Sequence, residues 1–235
     1  MQLNLSLSRD TAVAPSPRVL RVAGMFGLGV EEDRKLTIIP PVTLDLSPRQ
    51  VIFITGASGS GKSSLLALID AAARLRGDAR VIRFDRLPAL PDKPLVDCFD
   101  DALPAGEDED ARLAHVLALL SRAGLGDAFV MLRKPAELSD GQRYRLKLAQ
   151  VMALVDASID AGLTIILADE FGATLDRLTA SVIARNVRRW TRQCPAPVCF
   201  IAATTHDDLL EPLEPDVLVE KHLGERIEII NRHGK

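Results

Sequence analysis

The stretch from residue 51 to residue 84 restricts the fold more than any other part of the chain. Residues 51–55 (VIFIT) form a short unbroken apolar run, the pattern of a strand covered on both faces. Gly56-Ala57-Ser58-Gly59-Ser60-Gly61-Lys62-Ser63 follows at once and fits the spacing G-x-x-x-x-G-K-[ST]. Its glycines let the backbone turn so that successive N–H groups point inward. Residues 62–76 then read as a helix, with Leu65, Leu66, Leu68, Ile69, Ala72 and Ala73 on one apolar stripe and Gly77 as its stop. That helix aims its positive end at the space the turn encloses, and the whole is a cradle for an anion. Residues 79–84 supply the next strand and complete a βαβ unit.

The rest of the chain fits round that unit. Leu3, Leu5 and Leu7 alternate with polar residues as in a half-buried strand. Short strands are expected at 19–23, 35–39 and 42–46, with a loop at 25–29 and a turn at Ser47-Pro48. Residues 87–104 are proline-rich and irregular, and the acidic run 107–110 opens a helix that continues to 123. A further helix spans 139 to about 155, followed by a strand at 164–168, a helix at 178–191 and a strand at 198–203. Residues 216–220 and 226–230 flank Leu223-Gly224-Glu225 as a hairpin. The order predicts an α/β fold with parallel strands, carrying a helical subdomain from about 87 to 147.

Composition closes off several classes. With 235 residues, 47% hydrophobic and 26% charged, the chain can bury roughly 70% of its unfolded surface and is not disordered. A net charge of −3 weighs against wrapping nucleic acid as the main task, though a local basic patch remains open. Arg185, Arg188, Arg189 and Arg192 share one helical face, read as a solvated one. Cys98, Cys194 and Cys199 are too few and too scattered for a disulfide framework or a zinc site, and point to a reducing compartment. No apolar run nears the ~18–20 residues of a membrane span, and the N-terminus lacks a secretory pattern, so the expected location is cytoplasmic.

Three segments carry the chemistry. In the glycine-rich loop, Lys62 places a point charge for the β- and γ-phosphates of a nucleotide, and the Ser63 hydroxyl is a Mg²⁺ ligand. Ile165-Ile166-Leu167-Ala168-Asp169-Glu170 is an apolar strand ending in two acids, at the sheet edge where α/β proteins bind ligands. Asp169 is placed to hold Mg²⁺ and Glu170 to activate water. Leu138-Ser139-Asp140-Gly141-Gln142 opens a helix, with Ser139 as N-cap. Its residues alone leave open whether this is an ordinary capped helix or a second anion-binding end.

Taken together, these segments resemble the ATP-binding cassette (ABC) ATPases. LSDGQ is similar to that family's LSGGQ signature, and Arg133-Lys134-Pro135-Ala136-Glu137 approaches it as in the family. Ala173-Thr174-Leu175-Asp176 resembles the D-loop, and His206, after the strand at 198–203, resembles the switch histidine. The likeness covers residues 19–230. It implies a P-loop NTPase core of mostly parallel strands with an antiparallel β subdomain and a small helical subdomain, all within one ABC-type domain over 1–235. It also implies ATP and Mg²⁺ as ligands, and hydrolysis of ATP to ADP and phosphate. Gly56, Ser58, Gly59, Ser60, Gly61, Lys62, Ser63 and Ser64 would hold the nucleotide, with Glu170, His206 and Lys62 catalytic. In such ATPases ATP is sandwiched in a head-to-tail dimer. Ser139, Gly141 and Gln142 would thus act on the partner's nucleotide, and Asp176 would line the interface.

The chain departs from the family at two points. Asp140 stands where the family has glycine, and its charge should point away from the γ-phosphate. Asp85-Arg86 replaces the Q-loop glutamine; Asp85 is a candidate for organising Mg²⁺ or water, but a carboxylate has no amide N–H to donate. Phe26 is the upstream aromatic available to stack on adenine. In transporters the Q-loop links nucleotide to membrane subunits, so its loss favours an ATPase working on an unidentified non-membrane partner. The rival readings are a transporter's nucleotide-binding subunit with separate membrane subunits, and an ATP switch associated with nucleic acid or ribosomes.

Overall fold

The computed structural model of the chain describes residues 1–11, 16–28, 34–99, 108–157 and 162–232. In chain order the strands and helices are β1 (Gln2–Thr11), α1 (Pro17–Met25), β2 (Arg34–Asp45), β3 (Gln50–Thr55), α2 (Lys62–Arg76), β4 (Ala79–Arg83), α3 (Glu109–Arg122), α4 (Ala128–Met131), α5 (Asp140–Asp156), β5 (Leu163–Ala168), α6 (Arg177–Gln193), β6 (Val198–Ala203), α7 (Leu210–Leu213), β7 (Val217–Lys221) and β8 (Ile227–Asn231). Six strands form one sheet in the order β4-β5-β6-β3-β7-β8. All neighbours run parallel except β7 and β8, the expected C-terminal hairpin. β1 and β2 form a separate antiparallel pair.

Strand alternation builds two cores, one on each face of the large sheet. Ile52 and Ile54 of β3 pack with Leu65, Leu66 and Ile69 of α2 and with Leu3 and Ile39 of the antiparallel pair. Val51 and Phe53 face the other way, toward Leu148 and Met152 of α5 and Ile183 and Val187 of α6. β3 is thus covered on both sides, which is why its sequence shows no polar alternation.

Two expectations need correction. Residues 19–23 are not a strand but lie in α1: the Ser16 hydroxyl accepts from the Val19 N–H at 3.2 Å, and Pro17 occupies the first turn. The Ser-Pro pair is an N-cap signal that outweighs the β-branched valines. Residues 35–39 and 42–46 are not two strands but one, β2. The chain passes through Pro40 and Pro41 because the pairing with β1 slips there, between Leu5↔Val42 and Leu7↔Ile39. A bulge spares prolines the ladder bonds they cannot donate. The expectations for residues 29, 100–104 and 107 lie outside the described residues.

The arginine face of α6 is also not uniformly solvated. Arg188 is buried and forks onto Asp216 through Nη1 at 2.6 Å and Nη2 at 2.7 Å. Asp216 also accepts the Val51 N–H at 2.7 Å, so a single carboxylate ties α6 to the start of β3. Burial raises the carboxyl's pKa, but the Arg188 and Val51 hydrogen bonds outweigh it and hold the group below its ordinary 3.8. Replacing Arg188 with Met should cost about 1–3 kcal/mol, since Asp216 is only partly buried and water takes up part of the loss. Urea unfolding checks this; a loss below about 0.5 kcal/mol, the range of ordinary surface changes, would show the pair is not an anchor. The sign with pH follows from the depressed value. The contribution is complete above pH 3.8 and fades as pH falls through the lower folded value, so the stability gap between parent and variant should narrow in acid.

Candidate functional site

The glycine-rich loop leaves β3 at the carboxyl edge of the sheet, where α2 begins. β6 lies between β3 and β5, so the segments after all three strands converge. They enclose a cleft of about 440 Å³ lined by Ser58, Gly59, Gly61, Lys62, Ser63 and Ser64 from the loop, Asp169, Glu170 and Ala173 after β5, and Ala203, Thr204 and Thr205 at the end of β6.

Two glycines are indispensable to the loop's path. A Cβ on Gly56 would lie 2.0 Å from the carbonyl oxygen of Lys221 in β7, and the residue's φ is +143°. Gly61 caps α2 with φ +103°, and a Cβ there would press on Ile38 at 3.1 Å. Lys62 folds back so that Nζ donates to the carbonyls of Gly56 at 2.7 Å and Ala57 at 2.8 Å. Burial lowers the Lys62 pKa, opposed by the carboxylates of Asp169, Asp207 and Glu170. Ser60 is buried behind the loop, its Oγ unpartnered among the described residues.

Asp169 and Glu170 line the same cleft as the loop's Ser58, Ser63 and Ser64. Asp169 Oδ1 accepts the Glu170 N–H at 3.0 Å. Glu170 adopts a left-handed φ of +50°, uncommon for a residue with a side chain, and the turn is pinned on both sides. The Phe171 N–H donates to the Ala203 carbonyl at 2.9 Å, and the Gly172 N–H to the Tyr144 hydroxyl at 3.0 Å. Tyr144 belongs to none of the sequence motifs. Its ring packs with Phe84 and Phe171, both in contact with Phe200, and its phenol is buried, with its pKa raised. A tyrosine one turn into α5 is the signal that could have marked it, since it joins that helix to the acidic turn. Asp207 belongs to none of them either; it accepts from the Thr55 hydroxyl and acts on Lys62.

Other residues singled out from the sequence do not line this chain's cleft. His206 follows the cleft residue Thr205, with its N–H donating to the Thr204 hydroxyl at 3.2 Å. Ser139, Gly141 and Gln142 are not among the residues lining the chain's own cleft. Ser139 and Gln142 form a reciprocal capping box at the start of α5, and a Cβ on Gly141 would meet Leu175 at 3.5 Å. Asp176 caps α6 by accepting the Thr179 N–H at 2.9 Å. Asp85 is not brought to the cleft: the Arg83 guanidinium grips both its oxygens, at 2.8 and 2.9 Å. Phe26 ends α1, 74% exposed, and does not line the cleft either.

Substituting Gly56 with Ala should displace the loop from β7 and lower stability by about 2 kcal/mol or more. Thermal unfolding and titration with a fluorescent ATP analogue check this; a variant with the parent's melting point and affinity would show that the close approach of Lys221 does not shape the loop.

Known proteins share this fold. Residues 39–170 match the ABC transporter family. The macrolide export ATP-binding/permease protein MacB of Burkholderia pseudomallei (strain 1710b) is 29% identical over 218 residues, covering 83% of this chain and 31% of that protein. The probable syringafactin export ATP-binding/permease protein SyfD of Pseudomonas syringae pv. tomato is 27% identical over 230 residues, covering 88% of this chain and 32% of its own. The chain therefore spans about a third of the length of these curated relatives. Among solved structures, the dimeric bacterial ABC transporter cassette MJ0796 superposes with a TM-score of 0.62 at 19% identity, over 100% of both chains. Its post-hydrolysis state bound to ADP and Pi gives 0.61 at 18%, also over 100% of both. Because the family match takes in more than half of the 235 residues and the fold agrees along the whole length, the chain belongs to the ABC transporter family.

Proposed function

We propose that this chain binds ATP with Mg²⁺ in the cleft and hydrolyses it to ADP and phosphate, as one ABC-type domain with residues 87–147 as its helical subdomain. The observation that carries the reading is the meeting of Lys62, Ser63, Asp169 and Glu170 in one cleft at the sheet's carboxyl edge. The loop's N–H groups and the start of α2 take the phosphates, and Lys62 supplies the point charge. Ser63 and Asp169 offer hard oxygen donors, the set that suits Mg²⁺. Mg²⁺ held there would supply charge neutralisation for the triphosphate. Glu170 takes the proton from the attacking water, and His206, next to Thr205, meets the γ-phosphate. Neither Asp85 nor Phe26 is among the residues that line the cleft: Arg83 clasps the first, and the second is exposed at the end of α1.

A second copy completes the site, with Ser139, Gly141 and Gln142 of one protomer against the nucleotide of its mate and Asp176 at the interface. The dimeric cassette to which this chain is similar supports that reading. The curated relatives are export ATP-binding/permease proteins, which favours a chain that drives an export permease from the membrane surface. Among the described residues no helix is long and apolar enough to cross a membrane, so the permease segments would be supplied from outside them. Asp85 in place of the Q-loop glutamine, tied back by Arg83, favours the second reading of a non-membrane partner. Co-purification from detergent-solubilised membranes with an integral permease, against recovery from the soluble fraction, separates the two.

Glu170→Gln should slow hydrolysis by roughly 10²–10⁴ while ATP still binds, and should accumulate an ATP-bound dimer. Steady-state phosphate release and light scattering read the two effects. Unchanged turnover would remove Glu170 from the role of base. Lys62→Ala should weaken ATP binding at least tenfold, since it removes the loop's point charge.

A further inference from the structure

We propose that Arg143 is a charge-compensating positioning residue that lets Asp140 occupy the mouth of α5 when that mouth closes on the partner's triphosphate; this rests on the dimeric reading above. Asp140 is the first residue of α5, beside its N-cap Ser139. A carboxylate there suits the helix dipole of an isolated chain, but across a dimer interface it would face an anion. Arg143 lies in the same turn, where a cation opposes the dipole and is locally unfavourable. Its placement makes sense through its partners. Nη2 donates to Asp140 Oδ1 at 2.6 Å, and Nη1 donates to the carbonyl of Leu138, the residue before the N-cap. The guanidinium thus spans the Leu-Ser-Asp step and pairs its charge with that of Asp140.

Exposure separates this role from a merely structural one. In the single chain the Asp140 side chain is 83% exposed and that of Arg143 49%. Pairs so open to water add little to the stability of a fold. Closure of a second copy over α5 would strip that water, and an uncompensated carboxylate would then repel the triphosphate strongly. The pair's effect should accordingly be felt in association and not in folding.

The test is made in the full chain carrying Glu170→Gln, by sedimentation velocity with saturating Mg-ATP. Adding Arg143→Met should raise the dimer dissociation constant at least about tenfold, the scale of a like-charge juxtaposition, with the thermal midpoint of the nucleotide-free chain unmoved. Adding Asp140→Gly as well should bring association back to within about threefold of the parent, since no charge is then left to cancel. Arg143→Lys, which keeps the charge but not the fork, should fall between. Arg143→Met that dimerises like the parent, or a double variant as weak as Arg143→Met alone, overturns the pairing while leaving the dimer reading intact. A Glu170→Gln parent that stays monomeric contradicts the dimer reading, and this inference falls with it.

Discussion

The Lys62 ammonium, bonded to the carbonyls of Gly56 and Ala57, is the interaction on which the rest of the site depends. It closes the glycine-rich loop into a ring round its own positive charge. Such a group tolerates burial only because the carbonyls replace its water and three carboxylates stand within electrostatic reach. The loop cannot move far on its other side, where β7's backbone lies against Gly56. Preorganisation of this kind lowers the ordering cost of binding. The acids Asp169, Glu170 and Asp207 outnumber the lysine, so a divalent cation suits the cleft together with a triphosphate.

The sheet explains why such a loop can be held so firmly. β3 is buried on both faces and flanked by parallel neighbours on both edges, so the point where its chain turns into α2 is fixed by two cores at once. Asp216, shared between Arg188 and the Val51 N–H, fixes the opposite end of the same strand. Tyr144 carries the constraint across to the acidic turn, where its hydroxyl accepts from Gly172 two residues past Glu170. The helix that opens at Ser139 and the turn bearing the candidate base are therefore packed together through Tyr144.

Much of this was legible from the residues. The run 51–55, the loop, the 62–76 helix and the strands ending at Ala168 and Ala203 announce themselves because apolar periodicity and turn chemistry agree there. The misses have local causes. Val19 and Val22 read as a strand, yet Ser16-Pro17 sets a helix, and a nine-residue helix with one buried residue leaves little periodicity to read. Residues 35–39 and 42–46 read as two strands, but pairing over a bulge does not need the donors that Pro40 and Pro41 lack. Position along the chain marks Asp85 and Phe26 as candidates, but it does not show that Arg83 clasps the first or that the second stands exposed at the end of α1. Arg188 shares its helical spacing with exposed arginines, and only the fold brings Asp216, far along the sequence, beneath it. Tyr144 and Asp207 lacked any motif of their own.

A crystal structure of the chain with Mg²⁺ and a non-hydrolysable ATP analogue tests the central claim most directly. The account expects the β- and γ-phosphates inside the loop from Gly56 to Ser63, the metal between Ser63 and Asp169, and a second copy's Ser139 on the γ-phosphate. Phosphates bound away from that loop, or seated in it with the start of every neighbouring copy's α5 turned elsewhere, would contradict it.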